Sequence, residues 1–179
     1  MPARSTSGFA YPMTHKPEND GADKGNERIS AVTLDEGSIV RWNRDIEHER
    51  QVAIFDLIEC NHFAPRGAAK GPYHLRLSRQ EGRLVLDIRT EADAPVETIR
   101  LPLRIFRRII REYFMVCESY FTAIKTASPS QIEAIDMGRR SLHMEGSQLL
   151  LERLSERVEV DLATARRLFT LICVLSLRH

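Results

Sequence analysis

Between Leu168 and Leu177 the chain reads LFTLICVLSL, a run that places apolar residues on every side of a helix instead of along one stripe. Such a helix cannot lie on a surface and has to be covered all round, by lipid or by protein. Crossing a bilayer takes about 20 such residues, and this run has ten. It therefore belongs in a protein core, as the most buried helix of a helical layer. Asp161 is a good N-cap for it, so the helix begins LATARRLF. The rest of the chain must wrap this element, and 179 residues are enough for one such domain.

The wrapping elements follow from period and punctuation. Leu103 to Thr126 carries Phe106, Ile109, Ile110, Tyr113, Val116, Cys117, Tyr120, Phe121 and Ile124 on one broad face, with Pro102 suited to the first turn. Ser128-Pro129 closes that helix and opens another, with Gln131 or Glu133 placed to complete the cap. This second helix runs at least to Glu145, where Gly146 either kinks it or lets a neighbour approach closely. Tyr73, Leu75 and Leu77 alternate with polar residues at strand period, and Leu84, Leu86 and Ile88 repeat the pattern across a turn at Gln80 to Gly82, which predicts a hairpin. Val96 to Leu101 extends it. ISAVTL (Ile29 to Leu34) reads as a first strand, DEGS as a turn, and residues 44–60 as a helix preceded by Asn43 and started by Asp45, Glu47 and Glu49. ERVEV, ending at Val160, reads as a short strand, whereas Gly67, Gly71 and Pro72 mark a loop. The expected fold is α+β: a small, mainly antiparallel sheet from the N-terminal half, packed against a C-terminal layer of three helices plus one N-terminal helix.

Residues 1–27 are rich in Pro, Gly, Ser and charge and contain no apolar run of signal-peptide length; they are expected to be a disordered tail before a single domain over residues 28–179. The three cysteines, Cys60, Cys117 and Cys173, are odd in number and flanked by apolar residues, which predicts buried free thiols in a reducing, cytoplasmic setting. With 26 basic and 25 acidic residues the net charge is +1, which argues against a general polyanion binder. The charge is unevenly spread: Arg28 to His62 has 4 basic and 7 acidic residues, Phe63 to Thr126 has 12 and 7. A phosphate-rich or acidic partner is expected to meet the middle of the chain.

The stretches DIEHER (Asp45 to Arg50), FRRII (Phe106 to Ile110), PSQIEAIDMGRRSLHMEG (Pro129 to Gly146) and TARRLFTLICVL (Thr164 to Leu175) resemble the bacterial Uncharacterised Protein Family 0262. The resemblance extends from about Ile29 to the C-terminus. It implies no activity, cofactor or catalytic residue.

Two constellations carry chemistry. Arg104, Arg107, Arg108 and Arg111 follow i, i+3, i+4, i+7 spacing, so on one helix they form a ridge opposite the apolar stripe. Guanidinium forks match phosphates and carboxylates, although Glu112 and Glu118 offer local neutralisation. Glu133, Asp136, Arg140, His143 and Ser147 form a second stripe, bordered by Ile132, Ile135, Leu142 and Leu149 on one edge and Met137, Met144 and Leu151 on the other. It is either a pocket wall or an Asp136 to Arg140 ion pair locking helices together. Asp45, Glu47, His48 and Glu49 are a poor metal set, because only Asp45 with His48 or Glu49 shares a helix face; His62, His74 or His143 would have to complete the ligands. No metal or cofactor is expected.

The phosphate-loop, dinucleotide, nucleophile-elbow and H-E-x-x-H patterns are absent, and cysteines on apolar faces are poor nucleophiles. The leading expectation is a non-enzymatic regulatory or adaptor protein that binds a protein partner through the arginine ridge and the polar stripe. One alternative is an enzyme acting on a small phosphorylated substrate, with Arg104, Arg107, Arg108 or Arg140 on the phosphate and a His143/Glu133 acid-base pair. The other is an RNA-binding protein, which would use the same arginines but lacks aromatic platforms beside them. The residues leave the oligomeric state open. A chain shortened by its first residues, up to about Glu27, is expected to melt within a few degrees of the full chain, as thermal unfolding followed by circular dichroism would show.

Overall fold

The computed structural model describes residues 25–35, 44–67 and 70–176. Residues 1–24, most of the DEGS turn, Asn43 and the side chains of Asp45, Glu47 and Glu49 lie outside the described residues. In chain order the elements are β1 (Ile29–Leu34), α1 (Arg44–Glu59), β2 (Phe63–Pro65), β3 (Tyr73–Gln80), β4 (Arg83–Thr90), β5 (Pro95–Pro102), a 3-10 turn (Leu103–Ile105), α2 (Arg107–Thr126), α3 (Pro129–Leu154), β6 (Val158–Val160) and α4 (Leu162–Leu175). The main sheet has the order β1-β3-β4-β5; it is parallel where β1 meets β3 and antiparallel elsewhere. The expected α+β class is the one observed.

The hairpin forms where alternation predicts it. β3 and β4 pair from Tyr73 with Thr90 to Gln80 with Arg83. The two residues between them, Glu81 and Gly82, have φ of 49° and 73°, the double positive φ whose twist suits a two-residue hairpin. Tyr73, Leu75, Leu77, Leu84, Leu86, Ile88, Ile99 and Leu101 turn inward and are buried, whereas Arg76, Asp87, Arg89 and Arg100 stand on the outer face.

The inner face meets the helices in one apolar cluster containing Phe106, Leu150, Phe169 and the end of α4. From Leu168 to Leu175 every residue but Thr170 is buried, so the all-round apolar run is the core helix, packed against α1 and α3. Asp161 caps it, accepting from the Thr164 N–H at 2.8 Å. Ser128 caps α3: its Oγ accepts from the Gln131 N–H, and the Gln131 side chain accepts from the Ser128 N–H, a complete capping box with Pro129 in the first turn.

Gly146 does not interrupt α3, which is continuous for 26 residues. It serves the close approach. A Cβ built there would lie 2.2 Å from Phe169 Cζ and 2.5 Å from both Cε atoms, so the aromatic ring rests directly on the α3 backbone.

Several expectations need correction. Phe63–Pro65, between the expected helix and the Gly67 to Pro72 loop and given no element by the sequence pattern, is β2, which pairs with β6 (Phe63 with Val160); a three-residue strand is too short to show alternation, and its partner is remote in sequence. α1 forms where expected, but its helically spaced apolar residues Val52, Ala53, Phe55 and Leu57 do not share one fate: Ala53 and Leu57 are buried, and Val52 and Phe55 are exposed, because α4 and β1 cover one side only. Cys117 and Cys173 are buried and in no disulfide, as expected, but Cys60, just past α1, is exposed. Contacts also start before residue 28: the Phe63 N–H donates to the Glu27 carbonyl at 2.9 Å. The truncation that spares every described contact therefore ends before Asn26.

Edge β1 is tied down by a side chain. Asn61, just past α1, accepts from the Ile29 N–H at 2.7 Å and donates to the carbonyls of Ile29 (2.9 Å) and Leu57 (2.8 Å), satisfying strand and helix end together. The next N–H, of His62, donates to Thr164 Oγ1 at 2.9 Å and fixes this corner to the first turn of α4.

Gly146→Ala is expected to cost about 1 to 3 kcal/mol in urea unfolding, the usual penalty of overpacking. Adding Phe169→Leu, which removes the ring that meets the new methyl group, should recover part of that loss, giving a non-additive pair.

Candidate functional site

The two constellations have different fates. The 3-10 turn takes Arg104 out of α2, so the ridge is not one helix face; only Arg107, Arg108 and Arg111 share the helix. All four arginines are exposed. Arg108 is engaged: Nη1 donates to Glu112 Oε2 at 2.9 Å, and Nη2 pairs with Glu145 across on α3, which raises its already high pKa. Among the described residues no acid pairs with Arg104, Arg107 or Arg111.

On α3 the stripe splits along its length. Glu133, in the second turn, is exposed and makes no hydrogen bond or ion pair among the described residues. Asp136 holds two arginines: it accepts from Arg139 Nε at 3.1 Å and pairs with Arg140 Nε at 3.0 Å. The expected Asp136 to Arg140 pair therefore exists, but it lies within α3 and does not join two helices. The arginine that does reach another helix is Arg139, buried to 6% exposure with its Cζ 5.0 Å above the Tyr120 ring of α2. Sequence reasoning passed over Arg139 because it sits one residue off the polar stripe. Its spacing to His143, Gly146 and Leu150 (i, i+4, i+7, i+11) was the available signal, since those residues define the buried face.

His143 is 4% exposed. Its ring stands edge-on to Phe169 (centroids 5.2 Å, 77°) and tilted to Tyr113 (5.6 Å). Thr170 Oγ1 is hydrogen-bonded to His143 Nε2 at 3.0 Å and also lies within donating distance of the Arg166 carbonyl, at 3.2 Å. Ser147 Oγ donates to the His143 carbonyl at 2.7 Å. The imidazole is thus a buried core group with a hydroxyl near each ring nitrogen: Thr170 Oγ1 at Nε2 and Ser147 Oγ 3.5 Å from Nδ1. Burial, reinforced by the Arg166 and Arg139 charges, lowers its pKa to about 4. Glu133 lies ten residues away on the same helix, about 15 Å along the axis, so α3 does not bring the two groups together.

Shallow depressions mark the described surface, two of them beside residues considered above. One, of about 480 Å³, lies between α2 and α3 beside Tyr120, Ile132, Asp136 and Met137. The other, of about 400 Å³, is on the outer sheet face among Arg76, Asp87, Arg89 and Arg100. Alternating strand residues brought these charges together unnoticed, but they largely neutralise one another: Arg76 pairs with Asp93 at 2.8 Å and Arg89 with Asp87 at 2.9 Å. Among the described residues no three His, Cys, Asp or Glu side chains could hold a metal ion, and no helix is long and apolar enough to cross a membrane.

The family described as Uncharacterised protein family (UPF0262) matches residues 26–178. The chain belongs to the UPF0262 family. It is 58% identical over 157 residues to a UPF0262 protein of Rhodopseudomonas palustris, covering 88% of this chain and 96% of the relative. A UPF0262 protein of Xanthobacter autotrophicus is 56% identical over 164 residues (91% and 98%), and one of Paramagnetospirillum magneticum 53% over 152 residues (85% and 97%). No solved structure matches. The UPF0262 match begins at Asn26, the residue at which the described backbone contacts also begin.

With His143 buried, this UPF0262 protein is expected to lose stability in acid. Its native pKa of about 4 lies below the unfolded value of 6.5, so between these values the unfolded chain binds more protons and stability rises with pH. The contribution is complete above about pH 6.5 and is lost as the pH falls towards 4; its full size is on the order of 3 kcal/mol. His143→Gln should flatten urea-unfolding stability against pH across that window.

Proposed function

We propose that this protein is a cytoplasmic regulatory or adaptor protein that docks an acidic or phosphate-bearing region of a protein partner on Arg104, Arg107 and Arg111. One observation carries the reading: these three guanidinium groups are exposed and without an acidic partner among the described residues, whereas Arg108, Arg139 and Arg140 are each held by a carboxylate. An unpaired guanidinium keeps its full set of donors for a bidentate anion. Glu145 recruits Arg108 into the α2–α3 contact, so the docking surface is the subset of the ridge that helix packing leaves unused.

The acid-base alternative is weakened by the burial of His143 and its distance from Glu133. A small phosphate-bearing molecule could use the same three arginines, but they line neither of the two depressions described above. The cytoplasmic setting rests on the cysteines in no disulfide, including the exposed Cys60.

Arg107→Gln/Arg111→Gln is expected to leave the circular dichroism spectrum and melting temperature unchanged, since exposed arginines contribute about 0 to 1 kcal/mol each. Pull-downs from an extract of the source bacterium should recover at least about tenfold less partner with this variant, and wild-type recovery should fall as salt rises. Equal recovery by both folded proteins would remove these arginines from the account.

A further inference from the structure

The distal half of the α2–α3 hairpin is thinly covered. Beyond Cys117 on α2 and before Arg139 on α3, Ala123 is the one buried residue. Ile124 and Met137 are exposed, the latter at 62%, and Tyr120 and Ile132 are half-buried beside the inter-helix depression. Met137 is flanked along α3 by Glu133, Arg140 and Met144 at i−4, i+3 and i+7, a single seam of heptad spacing.

The charges on this seam are balanced in number and unbalanced in place. Asp136 serves both Arg139 and Arg140, so one carboxylate faces two guanidinium groups, while Glu133 has no partner among the described residues. Arg140 is 64% exposed and open to a second anion. Glu133 cannot supply it within the chain, because it lies seven residues before Arg140, about 10 Å along the helix.

We propose that α3 pairs antiparallel with α3 of a second copy of this chain about a two-fold axis near Met137. Under that symmetry Glu133 lies about 6 Å to one side of the axis and Arg140 about 4.5 Å to the other. Each Glu133 then stands within about 1.5 Å, along the helix, of the partner copy's Arg140. Two reciprocal ion pairs form, one surface being complementary to itself as a closed two-fold interface requires. The Met137 side chains meet at the axis, over the Tyr120 and Ile132 edges of the depression. Unbranched thioether side chains fill such shallow irregular space well. The unmatched glutamate and the doubly loaded aspartate are the observations that favour a second copy over an unrelated partner. This surface is separate from Arg104, Arg107 and Arg111, so its test is independent of theirs.

Sedimentation equilibrium on the full chain tests the pairing. Wild type is expected to show a reversible monomer–dimer equilibrium. Met137→Asp, a change at an exposed position, should yield folded monomer. Glu133→Arg and Arg140→Glu should each raise the dimer dissociation constant at least about tenfold by placing like charges opposite each other at two symmetric points. An equimolar mixture of these two variants should form the heterodimer with near wild-type affinity, because both crossed pairs again join opposite charges. A wild type that stays monomeric up to about 1 mM would overturn the proposal. So would a dimer indifferent to Met137→Asp, or a mixture that binds no better than the single variants.

Discussion

The contact on which the molecule depends is the Phe169 ring lying on the α3 backbone at Gly146, with no Cβ between them. It sets the distance between α3 and α4 and holds α4 at the centre. Phe106, entering α2, packs on the same ring at 6.2 Å, and His143 stands edge-on to it. One aromatic side chain thereby joins three helices, and the inward leucines of the sheet close the cluster from the other side. Dense packing of this kind makes each position intolerant of added volume.

The same contact explains the chemistry of the polar stripe. Drawing α3 against α4 at Gly146 buries whatever lies one turn earlier on that face, and His143 is there. Desolvation favours its neutral imidazole, and the Thr170 and Ser147 hydroxyls lie beside its two ring nitrogens. A turn further out, the packing loosens. Arg139 is still covered but keeps a carboxylate and the Tyr120 face for its charge. Arg140, next along the chain, already points to solvent. One helix thus grades from apolar core to charged surface over about three turns.

The arginines are sorted by the same geometry. Those that helix packing brings within reach of an acid are paired, and pairing at exposed positions contributes little to stability. Arg104, Arg107 and Arg111 are exposed and make no ion pair among the described residues. Without an acid beside them their guanidinium donors stay available to an anion from outside, which is why these three carry the proposed function.

What the sequence by itself determined is everything set by near neighbours: the capping box at Ser128, the Asp161 cap, the Glu81-Gly82 hairpin turn, the strand alternation of β3 and β4, and the burial of α4, whose run of apolar residues allows no other place. These depend on backbone geometry and on the period of apolar residues over a few turns, and both are written along the chain. Only the tertiary structure decided the matters settled between distant segments. β2 exists because β6 pairs with it, and Phe55 and Cys60 are exposed because α4 covers the other side of α1. Gly146 makes a contact and no kink because Phe169 arrives from another helix. Arg108 is taken from the ridge by Glu145, and His143 is removed from solvent by Phe169 and Tyr113. Spacing tells which residues share a face; what that face meets depends on a partner that no local pattern contains.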